Sequence, residues 1–178
     1  MSQYIQAPAS LKEPNYSNWV LVKNLSSGVN VSTVPIGVVI DEINNIVLFF
    51  NRGDGNIYAY NLKGDTLIPP LNPIYGTGDY VLNTFTSNSN SIGFNAMNRR
   101  ATIRGRYKLL QASDTAGNAI DVYYIYDGDK LLQTIDYSSV FDGPNRSDAA
   151  ISLFGTYIVI VGEDNNFNQY VFLYQGQP

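Results

Sequence analysis

The sequence feature that most constrains the fold is a strand–turn–strand pattern that occurs three times. Each copy has an apolar strand, a turn rich in Gly, Asp or Asn, and a second strand that ends in tyrosine. The copies lie at residues 46–60, 107–126 and 157–174. Because repeated hairpin units bury their apolar faces against their neighbours, the pattern predicts an array of similar β units.

The spacing of apolar residues along the rest of the chain favours an all-β fold. No segment has a convincing helical period, and the apolar segments are short, rich in β-branched or aromatic residues, and bounded by Gly, Asn, Asp and Pro. A chain of 178 residues with 44% hydrophobic residues is long enough for one domain with a substantial core. We therefore expect a single all-β domain spanning residues 1–178.

Turn signals divide the chain into units of antiparallel strands. A hairpin of residues 18–22 and 29–34 comes first, and residues 76–98 are interpreted as either a degenerate unit or an excursion loop. Two units of four strands are predicted. The first has strands at residues 37–41, 45–51, 56–62 and 66–69, and the second at residues 101–106, 107–112, 119–126 and 130–135.

The third unit is one strand short. Its strands are predicted at residues 149–154, 157–161 and 169–174. A strand from the other end of the chain would complete this sheet and remove an exposed edge, and residues 4–7 are the candidate.

Residues 36–67 resemble a blade of a β-propeller of the YVTN or NHL type. The similarity lies in Asp41 in the first turn and in the strands at residues 48–51 and 57–61. This resemblance implies a small propeller-like array of antiparallel four-stranded units, either a compact ring of four blades or an open part of a larger ring. It identifies no functional residue. A β-sandwich whose hairpins mimic blades is the alternative.

The absence of cysteine and histidine excludes several classes of enzyme and metal site. With no Cys and no His, the chain cannot form a disulfide, a thiolate or imidazole metal site, or a Ser-His or Cys-His nucleophile pair. Asp164, Asn166 and Asn168 match the first half of a calcium loop, but Gln169 and Gln175 replace its glycine and its glutamate. We therefore expect no enzyme activity, no cofactor and no metal site.

The densest positive charge indicates a candidate binding surface. If residues 99–106 are extended, the two-residue period places Arg100, Arg104 and Arg106 on one strand face, together with Thr102. These arginines are the predicted interaction residues, and the alternative is a solvated face that protects a sheet edge. A net charge of -4 disfavours nucleic acid as the partner. Tyr124 and Tyr126 also share a strand face, as either a surface ladder or ordinary contacts within a sheet.

These observations predict a non-enzymatic structural or interaction protein. A chain with only 15% charged residues and abundant Asn and Tyr favours a virion component of a prokaryotic virus, such as a capsid-decorating, tail or fibre protein. The alternative is a glycan-binding adhesin or a surface-layer-like module. Expected partners are other copies or other virion proteins, with glycans as the alternative, and residues 76–98 are the preferred assembly contact. The same composition leads us to expect location in the virion or on an extracellular surface. Neither a signal peptide nor a membrane-spanning run is found in the sequence, so we expect no membrane insertion.

Overall fold

The computed structural model describes residues 14–25, 35–42, 45–51, 57–62, 66–71, 100–102, 104–141, 147–166 and 168–178. Throughout this part of the chain the regular elements are β-strands, which confirms the all-β prediction. The strands are β1 (Asn18–Asn24), β2 (Pro35–Asp41), β3 (Ile46–Asn51), β4 (Ile57–Asn61), β5 (Thr66–Leu71), β6 (Tyr107–Ser113), β7 (Ala119–Asp127), β8 (Lys130–Asp136), β9 (Ser147–Ile151), β10 (Tyr157–Glu163) and β11 (Gln169–Gln177).

The strands form three antiparallel sheets. Sheet 1 has the order β2-β3-β4-β5, sheet 2 has β6-β7-β8, and sheet 3 has β1-β11-β10-β9. Sheet 1 confirms the first predicted four-strand unit, with its strands paired in chain order. In the described ranges no helix is long and apolar enough to cross a membrane.

Sheet 3 is completed by a strand from the other end of the chain, but not by the predicted one. β1 pairs antiparallel with β11, with Trp19 opposite Gly176. Trp19 is 1% exposed, and its indole Nε1–H donates a hydrogen bond to the carbonyl oxygen of Gly155 at 2.7 Å. This buried anchor explains why β1 takes the fourth position. The predicted candidate at residues 4–7, and the predicted hairpin partner at residues 29–34, lie outside the described residues.

Sheet 3 lies between the other two sheets and is buried on both faces. Val159 and Val161 pack against sheet 1, whereas Ile158 and Ile160 pack against sheet 2, and all four side chains are fully buried. A strand covered on both faces reads as a continuous apolar run rather than an alternating one, as these four residues do. The described strands thus form three stacked sheets, one more than a simple two-layer sandwich contains.

The first strand predicted for the second unit, residues 101–106, is wrong. Ala101 alone makes a bridge, to Lys108. The chain then turns: the Gly105 N–H donates to the Thr102 carbonyl oxygen at 2.9 Å, and the Thr102 N–H donates to the Tyr107 carbonyl oxygen at 3.0 Å. Gly105 has a φ of 67°, a conformation that glycine adopts without steric cost, so it interrupts the strand.

The same turn recurs fifty residues later. The Gly155 N–H donates to the Ser152 carbonyl oxygen at 3.0 Å, and the Ser152 N–H donates to the Tyr157 carbonyl oxygen at 2.8 Å. Gly155 also has a positive φ, of 81°. Sheets 2 and 3 therefore share one kind of glycine turn, at residues 102–105 before β6 and at residues 152–155 before β10, which we call the entry turn.

Candidate interaction surface

The three predicted arginines do not form a row. Arg104 is exposed in the turn, and Arg106 lies just before β6. Thr102, expected beside the arginines on the same face, is buried at 5% exposure. The prediction of one arginine-bearing strand face is wrong, because the turn at Gly105 breaks the two-residue period on which it depended.

Arg100 belongs to a polar network between sheets 2 and 3. Its Nη2 donates to Oδ1 of Asp148 at 2.8 Å. Beside this pair, the hydroxyl groups of Tyr123 and Ser147 share a hydrogen bond of 2.7 Å, and the Ser147 hydroxyl donates to the buried carboxylate of Asp121. Burial raises the pKa of Tyr123 well above its ordinary value. These contacts join β7 to β9, so these polar groups help to hold sheets 2 and 3 together.

Arg106 is held by its own chain. Its Nε and Nη2 donate to the two carboxylate oxygens of Asp127 at 3.1 and 2.9 Å, and Nη2 also donates to the amide oxygen of Asn15 at 2.5 Å. The guanidinium carbon lies 4.8 Å from the ring centroid of Tyr107. The hydrogen bonds and charge of Arg106 hold the pKa of Asp127 below its usual range. This guanidinium therefore stabilises the end of sheet 2.

The acidic turn that resembles half of a calcium loop uses its carboxylate to hold the backbone. Oδ1 of Asp164 accepts hydrogen bonds from the N–H groups of Asn166 and Asn168, both at 2.9 Å. Its Oδ2 accepts from the Asn168 amide at 2.9 Å and from the Tyr170 hydroxyl at 3.0 Å. These bonds, led by the one from the Asn168 side chain, lower the pKa of Asp164. Such a turn is ordinary Asx chemistry.

Asp114 makes the same turn fifty residues earlier. Its Oδ1 accepts hydrogen bonds from the N–H groups of Ala116 and Asn118, both at 2.8 Å, and its Oδ2 accepts from the Asn118 amide at 3.0 Å. Within the described residues, no group of three or more acidic side chains is placed to hold a metal ion. The two Asp turns lie at corresponding places in the second and third strand–turn–strand copies.

One surface with exposed apolar side chains in the described part of the chain is the side of sheet 2 that points away from sheet 3. Leu109, Tyr123 and Ile125 pack toward sheet 3, so the residues between them point to the opposite side. Leu110 and Leu131 on that side are 48% and 47% exposed. We call this side the open face; its residues are Lys108, Leu110, Val122, Tyr124, Tyr126, Leu131, Thr134 and Asp136. Val122 is already buried, at 9% exposure.

Two opposite charges lie at diagonal corners of the open face. Lys108 is on β6, level with Tyr126 at one end of the sheet. Asp136 is on β8, level with Val122 at the other end. The Asp136 carboxylate accepts hydrogen bonds from the Ser138 N–H at 2.9 Å and the Ser138 hydroxyl at 2.6 Å, which lower its pKa. The face is thus an apolar and tyrosine-rich centre with a cation and an anion at its corners.

A second exposed apolar group lies on β1, which we call the β1 edge: Val20, Leu21 and Val22, at 44%, 46% and 48% exposure. The backbone of this edge is partly blocked. The Trp19 N–H donates to Oε1 of Gln133 at 2.7 Å, and Nε2 of Gln133 donates to the Trp19 carbonyl oxygen at 2.9 Å. A bulge then follows, between Leu21 and Lys23. Because bulges and side-chain caps discourage strand addition, the β1 edge is a poor template for another strand.

No protein-family model matches the chain, and no curated protein matches it significantly. The functional interpretation therefore depends on the surfaces described above.

Sequence reasoning found part of the open face. It predicted that Tyr124 and Tyr126 share a strand face, which is confirmed, while the equivalent side chains at residues 58 and 60 lie outside the described set. It missed Leu110 and Leu131. A signal was present, because β7 reads as apolar on both faces although only one of them is needed to cover sheet 3.

Proposed function

We propose that this chain is a non-catalytic assembly protein that binds other protein subunits through the open face of sheet 2. The observation that carries the proposal is the near-half exposure of Leu110 and Leu131 beside Tyr124 and Tyr126. Aromatic and large aliphatic side chains are typical of the core of a protein interface, and contiguous apolar patches are uncommon on monomers. The weakly charged, Asn- and Tyr-rich composition makes a virion component of a prokaryotic virus the best-supported setting.

The proposed architecture is a small propeller-like array in which the three sheets are blades. Adjacent blades pack face to face, as sheets 1, 3 and 2 do. The edge strands β2 of sheet 1 and β9 of sheet 3 are in contact, and so are the edge strands β8 of sheet 2 and β1 of sheet 3. Completion of sheet 3 by a strand from the other end of the chain is also the usual way to fasten such an array.

The first test is the mass of the purified chain by light scattering, from about 1 µM to about 1 mM, a range that covers weak to moderate affinities. We expect a concentration-dependent multimer. The variant Leu110→Gln/Leu131→Gln should be monomeric with an unchanged urea midpoint, because both side chains are exposed. The matched control is Leu21→Gln, at 46% exposure on the β1 edge, which should associate normally. A strictly monomeric wild-type chain, or association that only Leu21→Gln removes, would contradict the proposal.

The viral setting has its own test. In a host that produces particles, the chain should co-purify with them through density-gradient centrifugation, and the Leu110→Gln/Leu131→Gln variant should be depleted from the particle fraction. Wild-type chain that stays entirely in the unassembled fraction would remove the viral setting while leaving self-assembly in place.

Glycan binding is the second candidate. Tyr124 and Tyr126 lie side by side on the open face and are half-buried, an arrangement on which a sugar ring can stack. A glycan array followed by thermal shifts would test it. A sugar that raises the melting temperature of wild type but not of Tyr124→Ala/Tyr126→Ala would favour the glycan-binding module over the assembly protein.

A further inference from the structure

We infer that the open face binds the open face of a second copy of this chain, across a two-fold axis that places Lys108 of each copy beside Asp136 of the other. This inference rests on the proposed assembly function and specifies its partner. It starts from the diagonal placement of the two charges across an apolar centre.

A two-fold contact requires a self-complementary surface, because residue i meets residue j and residue j meets residue i. An axis that lies in the open face, perpendicular to the line from Lys108 to Asp136, exchanges these two positions. It passes through Tyr124 at the centre and close to Leu131 at a third corner. The strands of the two copies then cross near a right angle, one of the two usual geometries for packed sheets.

The same axis brings apolar side chains onto apolar side chains. Tyr124 faces its own copy, Leu131 lies near its own copy, and Leu110 faces the position of Val122, which is already buried at 9% exposure and adds little area. Leu110 and Leu131, nearly half exposed in the single chain, would be covered. Arg100 and Arg106 are already paired with Asp148 and Asp127 within the same chain.

The size of the face predicts a weak complex. Strands about 4.8 Å apart, seven residues long at about 3.3 Å per residue, make a face of roughly 14 by 23 Å. This is less than the roughly 800 Å² per partner that stable interfaces bury, so a micromolar or weaker dissociation constant is expected. Ion pairs at the corners then matter for specificity and register more than for affinity.

The decisive experiment uses two single charge reversals, Lys108→Glu and Asp136→Lys. Each variant alone places two pairs of like charges across the dimer, so its dissociation constant should rise roughly tenfold or more over wild type. An equal mixture forms a heterodimer in which both pairs are again opposite in charge. Sedimentation equilibrium should therefore show near wild-type association for the mixture and weak association for each variant alone.

Asp136→Lys also removes the hydrogen bonds that Asp136 accepts from Ser138. A second measurement therefore uses a variant that leaves this turn unchanged. The chain has no cysteine, so Leu131→Cys introduces a single thiol close to the inferred axis. A short bis-maleimide should link two copies of Leu131→Cys into a covalent dimer, and the control Leu21→Cys, on the β1 edge, should stay monomeric on a denaturing gel.

The outcomes separate the inference from the proposed function. If Leu110→Gln/Leu131→Gln abolishes association but the mixed charge variants do not associate and Leu131→Cys does not crosslink, the open face binds a partner in another geometry and the two-fold inference is overturned. If Leu110→Gln/Leu131→Gln associates like wild type, the open face is not the assembly surface and both are overturned.

Discussion

Replacing Gly155 with alanine should destabilise the fold far more than the same change at Gly105, although the two glycines occupy the same position in the same turn. Both have positive φ, 81° and 67°. A Cβ at Gly155 would lie 2.9 Å from Cδ2 of Tyr107 and 3.2 Å from Cγ2 of Thr102, whereas a Cβ at Gly105 would meet nothing within 4 Å. The two substitutions therefore share backbone strain and differ in steric overlap.

The expected magnitudes follow from these two contributions. A left-handed alanine costs about 1–2 kcal/mol at either position. At Gly155 the overlap adds about 1–3 kcal/mol, because overpacking a filled site forces its neighbours to shift. Tyr107 is fully buried, and its hydroxyl is hydrogen bonded to the backbone oxygens of Pro14 and Tyr16, so its ring has little room to move.

The assay is equilibrium urea unfolding at 25 °C, followed by tyrosine and tryptophan fluorescence. We expect an unchanged slope and a lower midpoint for both variants, with Gly155→Ala clearly lower than Gly105→Ala. Since whole domains are stable by only about 5–15 kcal/mol, the Gly155 variant should also have a visibly lower melting temperature. Equal midpoints for the two variants would refute the argument from Cβ contacts.

Two predictions concern pH. Burial raises the pKa of Tyr123, so its stabilising effect is full below the unfolded tyrosine pKa of about 10 and is lost as the pH rises further; phenolate absorbance should show this phenol ionising together with unfolding. Tyr123→Phe should remove that late step. Arg106 lowers the pKa of Asp127, so the contribution of this pair is present above a pH of about 4 and is lost as the pH falls. Asp127→Asn should lower the urea midpoint slightly at pH 7 and not at pH 2; a difference that persists in acid would contradict the ion-pair explanation.

Much of the fold could be predicted because short sequence patterns mark its strands and turns. The four strands of sheet 1 alternate with turns of Gly, Asp and Asn, and they pair in chain order, so nearest-neighbour reasoning is sufficient. β1 was harder, because its partner β11 is at the far end of the chain and no local pattern specifies a pairing over that distance. The predicted Arg100–Arg106 face failed for a different reason: alternation was assumed through Gly105, which turns the chain instead.

The candidate surface could be predicted only in part, since exposure depends on how sheets stack. Leu109 and Leu110 are neighbours of the same type, yet one is fully buried against sheet 3 and the other is 48% exposed. Sequence alone gives the alternation between them but not which of the two sides receives another sheet. Only the structure shows which side of sheet 2 stays uncovered, because β9 and β10 pack against its opposite side.

The position of β1 leads to a last prediction, that this strand can be supplied as a separate peptide. β1 is held by its pairing with β11 in sheet 3, by the Gln133 side chain on β8 of sheet 2, and by Trp19 in the core between the two sheets. A chain that begins at residue 26 should lose this burial and should expose the edge of β11. Removing a buried tryptophan alone lowers the free energy of unfolding by about 3–5 kcal/mol. A synthetic peptide of residues 14–25 should restore the cooperative unfolding transition.

The peptide with Trp19→Ala is the matched control and should rescue weakly or not at all, because its backbone can still pair with β11 but its anchor is missing. If backbone pairing rather than the anchor dominated, both peptides would rescue equally. If the truncated chain kept the wild-type urea midpoint without peptide, β1 would be an accessory strand, and completion of sheet 3 would contribute little to stability. We expect neither result, because Trp19 contacts Tyr107 edge-on with ring centroids 5.2 Å apart and donates its N–H to the turn at Gly155. One side chain thereby links β1 to both repeated entry turns, and removing it should loosen sheets 2 and 3 together.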